Sequence, residues 1–230
     1  MQNEPVATKE KVKGISIRVL VALFITALFL LVLIFLTNEV VLQNETGFDL
    51  SVFKFVGSYR SQGITNVLTF FTFFGSFNFL LPAHILLSLY FILFRKNSFW
   101  SFNIAAIGLS SGILLYLMKN IFQRHRPPNP LIANVSGFSF PSGHSFSSFT
   151  LAGIIIYMLW ESKWSLAWKW VGTAVLFFLA TIIAFSRVYL QVHYASDVIA
   201  GFCLSFVWLA LCFYILEKFR PVAKTAKNIQ

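Results

Sequence analysis

The sequence predicts an all-α, polytopic membrane protein of six transmembrane helices, with its functional residues at the extracytoplasmic helix ends. Composition is the first observation behind that expectation. Hydrophobic residues make up 57% of the 230, charged residues only 11%, and mean hydropathy is +0.75; these values exclude a soluble domain of this length. The second observation is a series of apolar runs at 17–36, 67–94, 98–118, 145–160, 166–186 and 195–216, of the length that a crossing of roughly 20 residues requires. Charge placement is the third. Lys9, Lys11, Lys13 and Arg18 precede the first run, and Lys218, Arg220, Lys224 and Lys227 follow the last. Positive flanks of this kind mark cytoplasmic ends facing anionic lipid headgroups.

Taken in order, residues 1–14 read as a basic cytoplasmic tail, 15–218 as one six-span domain and 219–230 as a second basic cytoplasmic tail. The first run is too long for a secretory signal and no small-residue cleavage site follows it, so it reads as a retained span. Residues 37–66 form a polar outer connection. Within it Phe48, Val52, Phe55, Val56 and Tyr59 recur at helical spacing, which fits either a short surface helix or a solvated loop. The run 67–94 would extend ~42 Å as one helix against a ~30 Å hydrocarbon core. One tilted or kinked crossing is therefore expected, with Gly75 and Pro82 as the points of distortion. A single crossing also returns the chain to the inside at Arg95-Lys96, where positive charge belongs.

The span 98–118 then runs outward to Lys119, 145–160 inward to Glu161 and Lys163, 166–186 outward to Arg187, and 195–216 back to the basic C-terminus. His84 reads as a packed, hydrogen-bonded residue. Cys203 and Cys212 share the last span at nine residues' separation, ~13 Å along a helix, which is too far for a disulfide. The net charge of +10 could suggest nucleic acid. However, the basic residues stop where the spans begin, so a membrane surface is the better reading, and no obligatory protein partner is evident.

Lys119, Arg124, Arg126 and Arg187 fall on the outer side under this topology, against the positive-inside tendency. Arg124 reads as snorkelling to lipid phosphates, whereas Lys119, Arg126 and Arg187 together point to an anionic ligand. Between them, Pro141-Ser142-Gly143-His144 opens an apolar helix whose first backbone N–H groups and dipole favour a phosphate. Gly143 allows close backbone approach, and Ser142 either donates to the anion or caps the helix. Further on, Asp197 follows His193 by one helical turn if the chain is helical from His193 onward, so its carboxylate could fix the imidazole tautomer. His193 is then free to act as nucleophile or base, and His144 is a second candidate for proton transfer.

Lys119 with Arg126-Pro127, then Pro141-Ser142-Gly143-His144, then Ser186-Arg187 with His193 and Asp197 fill eleven signature positions in order. Together they resemble the three motifs of the type 2 phosphatidic acid phosphatase family. The resemblance is carried by roughly the second half of the chain; the first half matches only in span pattern. It implies a membrane lipid phosphatase in which His193 attacks phosphorus and forms a phosphohistidine, Asp197 orients it, and His144 protonates the leaving oxygen. Lys119, Arg126, Ser142, Gly143 and Arg187 match positions that cradle the phosphate.

No cofactor and no metal are expected, because Asp197 is the only carboxylate in this constellation and a magnesium site would want several oxygen ligands. The expected substrate is a lipid phosphate or pyrophosphate met at the extracytoplasmic face of the cell membrane. The resemblance favours undecaprenyl pyrophosphate and phosphatidylglycerophosphate, with phosphatidic acid and diacylglycerol pyrophosphate behind. A phosphotransferase using the same phosphohistidine is the alternative, and a non-catalytic lipid-binding or transport protein a more distant one.

Overall fold

The computed structural model describes residues 17–133 and 135–220. Lys9, Lys11, Lys13, Lys224 and Lys227 lie outside the described residues. So do the expected tail 1–14 and all of the second tail beyond Arg220.

The expected apolar runs become helices with ends set by local chemistry. Helix α1 (Ile17–Thr37) passes into a wider π-helical turn over Asn38–Leu42. A short α2 (Gly47–Gly57) follows, and then α3 (Gln62–Phe73) and α4 (Phe77–Leu93). Ser61 caps α3 by accepting from the N–H of Ile64 at 3.3 Å, which is why the helix starts five residues before the apolar run. Helix α5 (Ser98–Phe122) is capped by the Asn97 side chain and ends at Gln123, in the left-handed conformation at φ 45°. Helices α6 (Gly143–Glu161), α7 (Leu166–Tyr189) and α8 (Ala195–Lys218) complete a chain without strands among the described residues.

Four helices are long and apolar enough to cross a membrane, five if α3 and α4 count as one broken span. Helix α6 is not among them, because its first two turns carry His144, Ser145, Ser147, Ser148 and Thr150. The α3–α4 pair bends by 40°. The break falls at Phe74–Ser76 around the buried Gly75, and Pro82 lies inside α4 without interrupting it. Of the two expected points of distortion, glycine alone makes the bend.

Helix α6 packs between α7 and α8, α1 lies along α8, α3 along α7, and α4 against α5. Ile104, Ile107, Ile154 and Leu209 form the middle of this bundle. His84 lies over Gly108, where a Cβ would come within 2.8 Å of its ring, and His84 Nδ1 bonds the Leu80 carbonyl at 2.8 Å. Both cysteines are free.

At the end where α5 and α7 finish and α6 and α8 begin, a second apolar cluster of Val56, Leu68, Tyr189, Leu190 and Val192 holds α2 and α3 against the α7–α8 turn. A third, of Val40, Phe140 and Ala200, joins α1 to the loop before α6. These two clusters fix the loops that carry the polar residues. Trp160, Trp164, Trp168 and Trp170 are exposed around the opposite α6–α7 turn, where such side chains suit a membrane–water boundary.

Candidate active site

Helix polarity explains the placement of charge. Lys119 and Arg187 stand in the last turns of α5 and α7, where the helix dipole favours a cation. The turn before α6 presents N–H groups at a helix start, where the dipole favours an anion. Four helix ends of complementary polarity thus meet around one space.

Asp197 is at its centre and fully buried. It lies in the first turn of α8, and its Oδ2 accepts from the N–H of Tyr194 at 2.9 Å. His193 precedes the helix, which begins only at Ala195, so the pair forms across the helix start rather than along one turn of it. His193 Nδ1 stands 3.5 Å from Asp197 Oδ2 and 3.3 Å from Ser139 Oγ, while Ser139 itself makes a short hydrogen bond to Asp197 Oδ2. With the Ser139 hydrogen given to Asp197, Nδ1 is assigned the imidazole proton and Nε2 the lone pair. Arg126 Nη1 meets that Nε2 at 3.1 Å and also donates to the Val192 carbonyl at 2.8 Å. Burial pushes the His193 pKa down to about 3; Asp197 opposes the shift, and Arg126 and Lys119 add to it.

The remaining cations lean on backbone and hydroxyl groups. Lys119 Nζ donates to the Phe138 carbonyl at 2.6 Å, and Arg126 Nε to the Gly137 carbonyl at 2.9 Å. Arg187 Nη1 donates to Thr72 Oγ1 at 2.6 Å, and its buried Nε has no partner. Ser142 caps α6 by accepting from the N–H of Ser145 at 3.5 Å, while its own N–H donates to the Asp197 carbonyl at 3.0 Å. The N–H groups of Gly143 and His144 have no intrahelical acceptor at this position. Gly143 lies beside Lys119, whose Cε would be 3.9 Å from a Cβ there. His144 follows in the first turn of α6, near the charges of Arg187, Arg126 and Lys119. All eight residues singled out from the sequence therefore stand at one end of the bundle, and Ser142 takes the capping role there.

Two further features depart from the expectations above. Arg124 does not snorkel. Its side chain is buried, with Nη1 2.6 Å from Asp197 Oδ1 and Nη2 2.9 Å from Asp49 Oδ2, and it lies 4.2 Å over the Tyr194 ring. The two buried carboxylates already take its guanidinium donors. Asp197 is therefore not the only carboxylate here. Asp49, on α2, reaches the same corner and also accepts from Ser196 through both its N–H at 2.9 Å and its Oγ at 2.6 Å. Of the two alternatives for residues 37–66, the helix is the one found, as α2. Phe48, Phe55 and Tyr59 stay exposed, and Asp49 and Val56 are buried. A carboxylate one turn from Val52 and Phe53 and two from Val56 was the signal for Asp49. Ser139 had none, because it lies outside every motif. Among the described residues no group of three or more His, Cys, Asp or Glu is arranged to hold a metal.

A bundle with four helices long and apolar enough to cross a membrane, and with a buried histidine–aspartate pair ringed by cations at one end, has the architecture of a membrane protein with a site suited to an anion. Residues 100–221 match the PAP2 superfamily, and the chain belongs to it. It is 29% identical over 173 residues to phosphatidylglycerophosphatase B of Bacillus subtilis, covering 74% of this chain and 82% of that one. Undecaprenyl-diphosphatase of Sulfolobus acidocaldarius is 24% identical over 194 residues, covering 82% and 87%. The fold is similar to the crystal structure of a transmembrane PAP2-type phosphatidylglycerolphosphate phosphatase from Bacillus subtilis, with a TM-score of 0.72 and 25% identity over 86% of this chain and 97% of that one.

Proposed function

We propose that this protein hydrolyses a lipid phosphate or pyrophosphate at the extracytoplasmic face of the cell membrane, through a phosphohistidine on His193 and without a metal. The carrying observation is the state of His193: its Nδ1 faces Ser139 and Asp197, and its Nε2 faces Arg126. Nε2 attacks phosphorus as the bond to the leaving oxygen breaks, and a protonated His144 gives that oxygen its proton. Water then attacks phosphorus and yields a proton to His144, the N–P bond breaks, and phosphate leaves with His193 restored.

Lys119, Arg126, Arg187 and the N–H groups of Gly143 and His144 hold the phosphate oxygens, with Ser142 shaping the turn. Arg126 surrenders its bond to Nε2 when phosphate arrives. The chemistry of these donors supports a metal-free site: they are cations and amides, which would meet a metal ion unfavourably, and the Asp197 oxygens already accept from Ser139, Arg124 and Tyr194. Undecaprenyl pyrophosphate and phosphatidylglycerophosphate are the leading substrates, by likeness to the relatives named above. On this reading the chain makes six crossings with both termini cytoplasmic, α6 included and α3–α4 as one, and the site lies outside; the exposed cations at the far end, Arg95, Lys96, Lys163, Lys218 and Arg220, support that orientation.

Phosphate release from both lipids in detergent, with a chelator present, tests this reading. Wild type releases phosphate without an added acceptor, and His193→Ala loses at least about 10³-fold in kcat. Activity that vanished with the chelator would remove the metal-free mechanism. Release that waited on an acceptor lipid would make the protein a phosphotransferase.

A further inference from the structure

Two apolar cavities open between the helices. The smaller, about 330 Å³, lies among α1, α5 and α8 and is walled by Leu33, Phe122, Phe140 and Pro141. The larger, about 500 Å³, lies between the broken α3–α4 arm and the α6–α7 pair; Phe71, Phe74, Ala83, Ser148, Ala152 and Ile183 line it. We propose that the larger groove holds one hydrocarbon chain of the substrate, an inference that rests on the phosphatase reading above.

The direction of the displacement selects the groove. The leaving oxygen lies opposite the attacking His193 and next to the acid, His144, and in a lipid phosphate or pyrophosphate the chain is on the leaving group. The chain must therefore depart past His144. Gly75 brings the head of the larger groove against the acid: a Cβ there would come 2.9 Å from His144 Cδ2 and 3.1 Å from Ser148 Oγ, and would strike the Ile183 side chain. Ser148 and Ile183 both line the larger groove. The smaller one starts instead behind Phe140, which packs with Val40 and Ala200.

The head of the larger groove is polar and its body is not. Ser148 lies one helical turn below His144, and its buried hydroxyl has no hydrogen-bond partner, not even the backbone carbonyl that a helical serine often takes. A substrate oxygen at the top of the chain would supply the missing acceptor. Below it the walls are phenylalanine, alanine, leucine and isoleucine. At about 500 Å³ the groove has room for a hydrocarbon chain. Phe70 and Leu179 on its rim are exposed, so a longer chain continues into the bilayer.

Ala83→Phe fills the groove from α4. The ratio of kcat/KM for hexadecyl pyrophosphate to that for butyl pyrophosphate should fall about tenfold, while Thr37→Phe in the smaller cavity leaves the ratio at its wild-type value. An unchanged ratio in Ala83→Phe, or a fall in Thr37→Phe instead, overturns the proposal. Running polyprenyl pyrophosphates and diacyl phosphatidylglycerophosphates separately identifies which lipid supplies the chain, as the one with the larger fall.

A binding measurement separates this inference from the phosphatase reading. In a Cys203→Ala, Cys212→Ala background, hexadecyl phosphonate should slow alkylation of Ala83→Cys by an apolar maleimide several-fold more than butyl phosphonate does. Protection without any phosphate release would keep the groove and remove the phosphatase. Phosphate release without protection would do the reverse.

Discussion

Asp49 touches no expected phosphate ligand, yet it neutralises the arginine that holds Asp197. Removing one partner of a buried pair leaves an uncompensated charge, at a cost of about 3–5 kcal/mol. Asp49→Leu should therefore lower the thermal midpoint sharply, and should lower kcat as Arg124 turns wholly onto Asp197. Asp49→Asn, which keeps an acceptor for Ser196, should recover part of the stability; equal midpoints for Asp49→Leu and wild type in detergent melts would refute the account. His193 makes a second prediction at this scale. Its pKa is held down to about 3, chiefly by burial, against about 6.5 in an unfolded chain. Below pH 6.5 the unfolded state binds the extra proton, so stability falls as pH drops from about 6.5 toward 3. His193→Gln should show a shallower fall in midpoint over that window, and identical slopes would contradict the burial. The motif residues were legible because each falls within a few positions of its motif partners. Asp49, Ser139 and Thr72 find partners 147, 58 and 115 residues away, and no local pattern carries such information.

At the scale of elements, the bend between α3 and α4 links bilayer geometry to the site. The length of the run 67–94 foretold a distortion, and Gly75 was one of its two named points. What length could not reveal is that the break puts backbone against His144 and Ile183. Gly75→Ala would push on the His144 ring at 2.9 Å, where the neighbouring helix cannot yield without cost. Displacing an acid harms poor leaving groups more than good ones. The variant should therefore lose about tenfold or more in kcat on a lipid phosphate, and markedly less on an aryl phosphate whose leaving group needs no proton. Equal losses on both would mean that the substitution damages the fold rather than the acid. Pro82 illustrates the limit of a residue-type signal, since within α4 the surrounding helix absorbs it without a break.

For the whole molecule, the question is which face of the membrane the polar end meets. Helix α6 shows why periodicity and hydropathy leave it open: the residues that make its first turns useful to an anion are those that lower its apolar character. Its orientation must be read from its neighbours, and α7 and α8 on either side of it are both long and apolar enough to cross. Lys119, Arg124, Arg126 and Arg187 gather at one end of the bundle, while Arg95, Lys96, Lys163, Lys169, Lys218 and Arg220 stand at helix ends and turns of the other. If charge alone oriented the chain, both ends would compete for the cytoplasm. The proposed function resolves the competition: Arg124 is neutralised by Asp49 and Asp197, and the other three are assigned to the phosphate. Under the proposed function the remaining cations, most of them exposed, are the ones that mark the inside. A single cysteine at the exposed Ala133, introduced as Ala133→Cys with Cys203→Ala and Cys212→Ala, should react with a membrane-impermeant maleimide on intact cells. Reaction only after the membrane is opened would place the polar end in the cytoplasm, and with it the surface from which substrate must come.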